Sequence, residues 1–531
     1  MDCISTRLPY SQTGYFSEII LDYLKQADSL KPFYKHPVSV DGIRASLEAR
    51  KRFPTNRPVL VEALKEQYKN IATSDRVREH IELLADENTF TVCTAHQPAI
   101  FTGSLYFIYK ILHTIKLASF LSKEFPEHRF VPVFYMGSED ADLEELGKIY
   151  LNNEKLIWDT HQTGAVGRMK PEGLGTIIDR VEGELSVLPF GSELISLLKE
   201  TYLGSPDIQT GTFRLLNALF ASFGLIILIP DRAGLKQLMV SVFADDLFNH
   251  TPSSIVNPAI RDLSVHYKVQ ANPREINLFY LKDDLRGRIE KKGGKFIVHG
   301  SGLSFEEAGL RNELTGHPER FSPNVILRGL FQETILPNIA FIGGGGETAY
   351  WLELRELFDH YKTPFPVLIL RNSFLLIEDT WREKLESAGL AVTDIFRSEE
   401  DLVNELVKSQ SRQQLSLEEE IREALGFYAR IKEISGAVDP TLVQHVDALQ
   451  TKAIKPLEEL EKKLLKSEKR KFEDQRRQVN AIKSALFPFD SLQERIDNFM
   501  PWYARRGPAF LEHLYAHSLT LEQEFVILGE G

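Results

Sequence analysis

The sequence is short of several things, and each shortage narrows the reading. Of its 531 residues only Cys3 and Cys93 are cysteines, too few for a disulfide framework in a chain of this length and in keeping with a reducing compartment. No stretch approaches the ~18 uninterrupted apolar residues of a membrane helix. The opening Met1-Asp2-Cys3-Ile4-Ser5-Thr6-Arg7 lacks the basic-then-apolar order of a secretory signal. Together these predict a cytoplasmic protein with no membrane partner. Positive charge is in deficit too, with 63 Lys and Arg against 75 Asp and Glu, a net charge of −12 and a pI of about 5.7. Such a chain repels phosphate backbones, so nucleic acid is not an expected partner. Tandem repeats and low-complexity tracts are missing as well.

What is present reads as globular, with 43% hydrophobic and 26% charged residues. The length exceeds what one hydrophobic core organises and implies several structural units. Short runs rich in β-branched and aromatic residues at 90–94, 130–135, 225–229, 340–342 and 367–370 predict strands. Amphipathic segments at 105–121, 144–150, 235–248 and 348–361 predict the helices that follow them. This alternation is that of an α/β fold with a Rossmann-like, doubly wound parallel sheet. Residues 151–206 and 265–323 exceed such a core and read as inserts, the second with strand-like segments at 275–281 and 294–298.

Beyond about 396 the sequence turns to long, charged helix. Leu417, Ile421, Ala424, Tyr428 and Ile431, then Leu449, Ala453, Leu457, Leu460 and Leu464, recur by threes and fours, the spacing of a coiled-coil seam. Gly436-Ala437-Val438-Asp439-Pro440 interrupts the two runs with a helix stop and a new start, which predicts an antiparallel pair. The charged run 458–477 mixes signs at helical spacing and reads as a solvated face. The expected domains are a core over 1–395, a coiled coil over 396–485 and a helical segment over 486–531, with a homodimer formed through the coiled coil.

Four constellations could carry chemistry. His96 and Gln97 leave the first strong strand and Gly103 precedes a helix, which puts them at a strand's carboxyl end, where doubly wound sheets bind ligands. A satisfied loop histidine and a turn glycine are the bland alternative. Glu139, Asp140 and Asp142 follow the second strand and could bind an ammonium, a hydroxyl or Mg2+, or move a proton, whereas Glu144 and Glu145 fit the first turn of a helix. Gly343, Gly344, Gly345 and Gly346, then Glu347 and Tyr350, form a strand–glycine–helix passage open to a ligand. It is not a Walker loop, and the charge of Glu347 favours a hydroxyl or ammonium as much as a phosphate. Arg274, Arg286, Arg288, Arg328 and Arg371 could clamp carboxylates or phosphates, although any one of them could be a surface ion pair. Cys93 and His96 could supply two zinc ligands, but no further pair stands at a suitable spacing, so Cys93 reads as a buried strand thiol and no metal site is expected.

Taken together, Ala95-His96-Gln97 onward to Lys110, Val131-Pro132-Val133-Phe134-Tyr135-Met136-Gly137-Ser138-Glu139-Asp140, Gly164-Ala165-Val166-Gly167-Arg168, Arg274-Glu275-Ile276-Asn277, 343–351, 366–373 and Ser491-Leu492-Gln493-Glu494-Arg495 resemble, in order and spacing, the bacillithiol-synthesis cysteine-adding family. The resemblance implies a Rossmann-type core of the class I nucleotidyltransferase kind with connecting inserts and a dimer-forming coiled coil. It implies a ligase that adds cysteine to glucosaminyl-malate in the last step of bacillithiol biosynthesis, with ATP as the activating nucleotide, a cysteinyl adenylate as intermediate and Mg2+ as companion ion. On that reading His96, Asp140 and Asp142 are catalytic. Gln97, Gly103, Glu139, Arg274, Arg286, Arg328, Gly343, Gly344, Gly345, Gly346, Glu347, Tyr350 and Arg371 bind substrate or nucleotide. Relatives commonly have Gly where Ala95 stands and His where Ala141 stands, and the second departure shifts attention for acid–base chemistry to His96. A non-catalytic nucleotide-binding coiled-coil scaffold and a nucleotidyltransferase acting on another small acid are the other readings.

Overall fold

A computed structural model of the chain describes residues 5–410, 416–469 and 472–529. Cys3, and Arg470 with Lys471 of the charged run, lie outside the described residues. Two compact units emerge, one built from 7–375 and 491–526 and the other chiefly from 376–490. No helix among the described residues is long and apolar enough to cross a membrane.

The first unit is organised by five parallel strands, β1 (Thr89–His96), β2 (Arg129–Met136), β3 (Ile226–Leu228), β4 (Asn338–Gly343) and β5 (Val367–Leu370), in the order β5-β4-β1-β2-β3. Their near-continuous burial explains why they read as apolar runs rather than alternating ones, since a parallel sheet is covered on both faces. Phe90, Val92, Phe130, Ile339, Ile342 and Ile369 pack with Leu117 and Leu121 of helix α1 (Tyr106–Glu124) in one cluster. Beneath β4, Arg50 and Glu333 form a wholly buried ion pair at 2.7 Å.

The predicted helix at 144–150 is absent. A single turn, Leu143–Leu146, gives way to the strand Lys148–Leu151, which pairs with Glu154–Ile157. Burial of Ile149 and Leu151 but not of their neighbours is a period of two, which decides for strand. The first insert continues as helices, including Leu174–Leu185, Gly191–Leu198 and Ile208–Phe220. The second insert forms an antiparallel sheet in the order Ser304–Phe305, Lys295–Val298, Leu285–Lys292, Leu278–Lys282, Phe321–Pro323. It leads directly into helix α2 (Val325–Ile335), while α3 (Gly345–Leu352) follows β4.

Residues 491–526 return to this unit rather than standing apart, and the segment read as wholly helical ends in the strand Glu524–Gly529. Asn498 Nδ2 donates to the carbonyls of Phe101 at 2.9 Å and Gly103 at 2.5 Å, and Leu105 N–H to that of Asp497 at 2.7 Å, which stitches the segment to the loop after β1.

The second unit contains the helices α4 (Glu418–Val438) and α5 (Leu442–Lys469). Contacts of Leu417 N–H with Glu461 and of Lys432 with Asp447, the latter at 2.6 Å, make them antiparallel. On α4 the positions that the spacing predicts, Ile421, Ala424, Tyr428 and Ile431, are half-buried. On α5 the seam instead follows Val446, Gln450, Ala453, Leu457 and Leu464, and Leu449 and Leu460 are exposed. They lie one residue off the phase that Val446 sets.

Candidate active site

The strand order makes β1 and β4 neighbours from which the chain winds away in opposite directions. Ligands of doubly wound sheets bind outside the carboxyl ends of such a pair. A cleft of about 930 Å3 opens there, and it gathers His96 and Gln97 from the end of β1, Gly137, Glu139 and Asp140 from the loop after β2, and Gly344 to Glu347, Ala349 and Tyr350 from the passage into α3.

His96 is held at both ring nitrogens, with Nδ1 2.9 Å from the Gln97 carbonyl and Nε2 3.0 Å from the Tyr106 hydroxyl. Burial, aided by the Lys110 ammonium, lowers its pKa to about 4, so the imidazole is neutral at pH 7. Gln97 Nε2 donates to Asp140 Oδ2 at 3.1 Å, tying the ends of β1 and β2 together. Gly103, by contrast, does not line the cleft. Its φ of +63° supplies the turn into α1, and its carbonyl is taken by Asn498.

None of the four consecutive glycines has positive φ, so the run is not there for turn geometry. Gly344, Gly345 and Gly346 instead leave the cleft wall bare of side chains at the start of α3, while Gly343 packs behind, where a Cβ would meet Phe341 at 3.0 Å. The charge of Glu347 is already spoken for. It contacts the buried Lys110 ammonium and accepts from Gly344 N–H at 2.8 Å. Burial alone would raise its pKa, but Lys110 and Arg328 bring it below the usual range. The expected repulsion of a phosphate by this residue is thereby cancelled. Lys110 also donates to the Ala95 carbonyl at 2.7 Å, so one ammonium fastens β1, α1 and the glycine passage.

The acids after β2 separate. Glu139 lines the cleft but contacts Lys236, which also reaches Asp231 at 2.8 Å, and burial raises the Glu139 pKa against the pull of Lys236. Asp140 faces the cleft, with Arg286 Nη1 3.9 Å from its Oδ1. Asp142 has another role. It is exposed, lies off the cleft, and caps the turn Leu143–Leu146 by accepting from Glu145 N–H at 3.0 Å. Glu145 does line the cleft, although its place in the sequence suited a helix start.

Among the arginines, Arg286 and Arg328 reach the cleft, Arg286 stacked on Phe279 at 3.8 Å and Arg328 donating to the Tyr350 hydroxyl. Arg371 lines it as well, but its fork is filled by Glu494 in a bidentate pair, 2.8 Å at each contact. It is therefore a brace, stacked at 5.1 Å over the Tyr106 ring. Arg274 is exposed and off the cleft. The buried polar member of its motif is Asn277, whose Nδ2 donates to the Arg274 carbonyl at 3.0 Å and to Asp246 Oδ1 at 2.9 Å. Arg288 is likewise off the cleft and pairs with Glu290 at 3.3 Å. Cys93 is wholly buried in β1, and burial pushes its thiol well up.

Lys268, Ser322, Tyr106 and Arg495 also line the cleft and escaped the sequence reading as site residues. Tyr106 and Arg495 carried a signal, each as part of a motif that marks the family, while Lys268 and Ser322 carried none.

Residues 1–372 match the family described as bacillithiol biosynthesis BshC, N-terminal Rossmann-like domain, and residues 374–530 match its C-terminal coiled-coil domain. The chain belongs to the bacillithiol biosynthesis BshC family. A relative from Flavobacterium johnsoniae named "Putative cysteine ligase BshC" is 40% identical over 529 residues, 99% of each chain. Proteins of the same name from Cytophaga hutchinsonii and Salinibacter ruber are 39% identical over 501 residues, 94% of each chain, and 30% identical over 534 residues, 97% of this chain and 96% of the relative. The family's Rossmann-like domain covers the parallel sheet and its coiled-coil domain covers α4 and α5.

Proposed function

We propose that this chain is a cysteine ligase, an enzyme that joins the carboxyl of cysteine to the amine of glucosaminyl-malate in the last step of bacillithiol biosynthesis and consumes ATP to do so. The observation that carries the reading is the mixed charge of the switch-point cleft. Arg286, Arg328, Lys268 and Arg495 line it together with Asp140 and Glu145, inside about 930 Å3, in a chain whose relatives bear the ligase name. A ligase of this kind must hold anions and an amine side by side.

The residues present fit a nucleotide. The bare backbone of Gly344 to Gly346 permits close approach at the start of α3, the neutralised Glu347 does not oppose phosphates, and the arginines attract them. Glu145 would hold Mg2+, which needs only one or two carboxylates when it travels with phosphates. When bound, ATP supplies the leaving group that turns an inert carboxylate into an electrophile. The chain's own groups do the rest. Arg286 and Arg328 orient anionic groups, and Asp140 takes a proton from the acceptor's ammonium, which leaves a neutral amine free to attack. His96, neutral and fixed by Tyr106, offers a polar wall that adds no charge beside the amine. The cysteine thiol is not needed for the bond formed.

Incubation of the protein with cysteine, ATP, Mg2+ and glucosaminyl-malate is expected to yield bacillithiol by mass spectrometry, with one pyrophosphate released per product. ADP and phosphate would instead mean activation through an acyl phosphate. No product from a folded preparation would overturn the reading.

A further inference from the structure

The strand Phe321–Pro323 runs directly into α2, an 11-residue helix, so Ser322, Asn324 and the first turn of α2 reach the cleft as one rigid corner. Asn324 is fixed on two sides. Its N–H donates to the Asn277 carbonyl at 2.9 Å and its Nδ2 to Asn277 Oδ1 at 3.1 Å, while its Oδ1 caps Ile326 N–H at 2.9 Å. That leaves Val325 N–H with no hydrogen bond to the described residues.

Two independent observations mark this corner as a place for an anion. Ser322 lines the cleft, yet it is 0% exposed and its Oγ has no hydrogen-bond partner among the described residues, an unfavourable state for a buried hydroxyl unless a ligand completes it. Arg328, one turn into α2, has the hydroxyl and ring of Tyr350 for neighbours but no carboxylate at ion-pair distance among the described residues. Glu347 and Asp140 act on its charge only from beyond ion-pair distance, so the fork itself has no carboxylate to grip. The register of the inserted sheet adds a second cation. Ser322 stands opposite Phe279, and Arg286 opposite Leu281, so Ser322, Phe279 and Arg286 share one face, with the Arg286 guanidinium stacked on Phe279 at 3.8 Å.

We infer that Ser322 Oγ, Val325 N–H and the Arg328 guanidinium form a carboxylate-binding subsite, flanked by Arg286, and that it takes a carboxylate of the acid half of the acceptor. This rests on the ligase reading above. Two small donors beside a planar fork match the two oxygens of a carboxylate. A phosphate chain at the same corner would bring more negative charge toward Asp140, 3.9 Å from Arg286, whereas the bare backbone at the start of α3 offers phosphates a separate place. The second insert thus acts as the specificity element of the cleft, since it contributes Arg286 and Ser322.

Titration calorimetry on the full chain with L-malate as probe tests the subsite without requiring turnover. Ser322→Ala is expected to weaken malate binding and to raise the KM for glucosaminyl-malate about tenfold, the effect of one charge-assisted hydrogen bond. Its KM for ATP holds, and its melting temperature holds or rises because an unpaired buried hydroxyl is gone. Arg328→Gln is expected to cost about a hundredfold in malate affinity. Unchanged malate binding in Ser322→Ala overturns the subsite, and so does a shift confined to the ATP KM, which would make the corner a phosphate site. Malate bound normally by a protein that forms no product would keep the subsite and sink the ligase reading. Product formation with an unmoved acceptor KM in Ser322→Ala would do the reverse.

Discussion

The Tyr106 hydroxyl lies 3.0 Å from Nε2 of His96, whose Nδ1 is 2.9 Å from the Gln97 carbonyl. Burial pushes the Tyr106 phenol up, so it stays a donor, and the imidazole must carry its proton on Nδ1. This sets the tautomer from outside the ring. Nitrogen NMR should find His96 neutral and protonated on Nδ1 from pH 7 down to about 5, with titration near its pKa of about 4. Tyr106→Phe removes a bond that favours the neutral form and is expected to raise that pKa. Titration of the native ring near the ordinary ~6.5 would contradict the arrangement.

The acid limb of stability should carry the same signature. His113 is wholly buried, with Nε2 2.8 Å from the Thr520 carbonyl and Nδ1 accepting from Asn372 N–H at 3.1 Å, and burial lowers its pKa to about 4. Because the folded pKa lies below the unfolded one, the unfolded chain takes up the proton first as pH falls. The stability contributed is complete above about pH 6.5 and is lost down to about pH 4, on the order of 3 kcal/mol for this group. Urea unfolding at pH 7.5 and 5 should give a clear loss at the lower pH. A His113→Gln variant should lose one proton's worth of that slope, and an unchanged slope would show that the ring is not the group responsible.

Under β4, the ion pair of Arg50 and Glu333 is buried at both ends, with Asn338 Nδ2 and Gln332 Nε2 completing Glu333 Oε1 at 2.8 and 2.9 Å. Removing one partner leaves the other charge stranded. Glu333→Gln is expected to cost about 3–5 kcal/mol, and the double change Arg50→Met with Glu333→Leu to recover much of it. Thermal unfolding of the three proteins measures this. A double variant as unstable as the single one would mean that the pair's hydrogen bonds, rather than its stranded charge, carry the cost.

The core strands were legible in sequence because a parallel strand buried on both faces is a continuous apolar run, and β5 was bounded to the residue at Val367 and Leu370. Lys148–Leu151 was not, because four residues of period two are too few to outweigh an acidic, helix-like start at Glu144 and Glu145. The cleft was half legible. His96, Asp140 and Gly344 to Glu347 sit at strand ends that pattern alone identifies. Ser322 and Lys268 arrive on an insert and Arg495 on a returning segment, and only tertiary packing brings them in. Arg274 was misplaced for the opposite reason, since its motif serves the buried turn at Asn277.

On the helical hairpin, Phe427 and Ile434 of α4 are 50% and 67% exposed, and Leu449 and Leu460 of α5 remain outside the seam. A two-helix seam with apolar residues left over is short of partner surface. Light scattering at micromolar concentration is expected to give a homodimer, and Phe427→Glu with Ile434→Glu a monomer that keeps its helical circular dichroism. A native monomer would remove the coiled coil as the assembly surface.

Asp140 and Asp142 offer the sharpest division between chemistry and structure, since they are two residues apart and share a loop. Asp140 faces the cleft, receives Gln97 Nε2 at 3.1 Å and has Arg286 Nη1 at 3.9 Å, whereas Asp142 spends its carboxylate on Glu145 N–H at 3.0 Å. Asp140→Asn keeps the shape and the contact with Gln97 but removes the charge that would take a proton from the amine. It should lower kcat by about a hundredfold or more, the usual worth of a positioned acid–base group. The melting temperature should move little, because this loop residue is half-exposed. Asp142→Ala deletes an N-cap of a one-turn helix, worth about 1 kcal/mol at most at this exposed position, and should leave the rate near that of the native protein. If the two variants lose activity equally, the loop acts as a unit and the division is wrong. If Asp142→Ala alone is inactive, the proton acceptor lies outside the cleft as drawn.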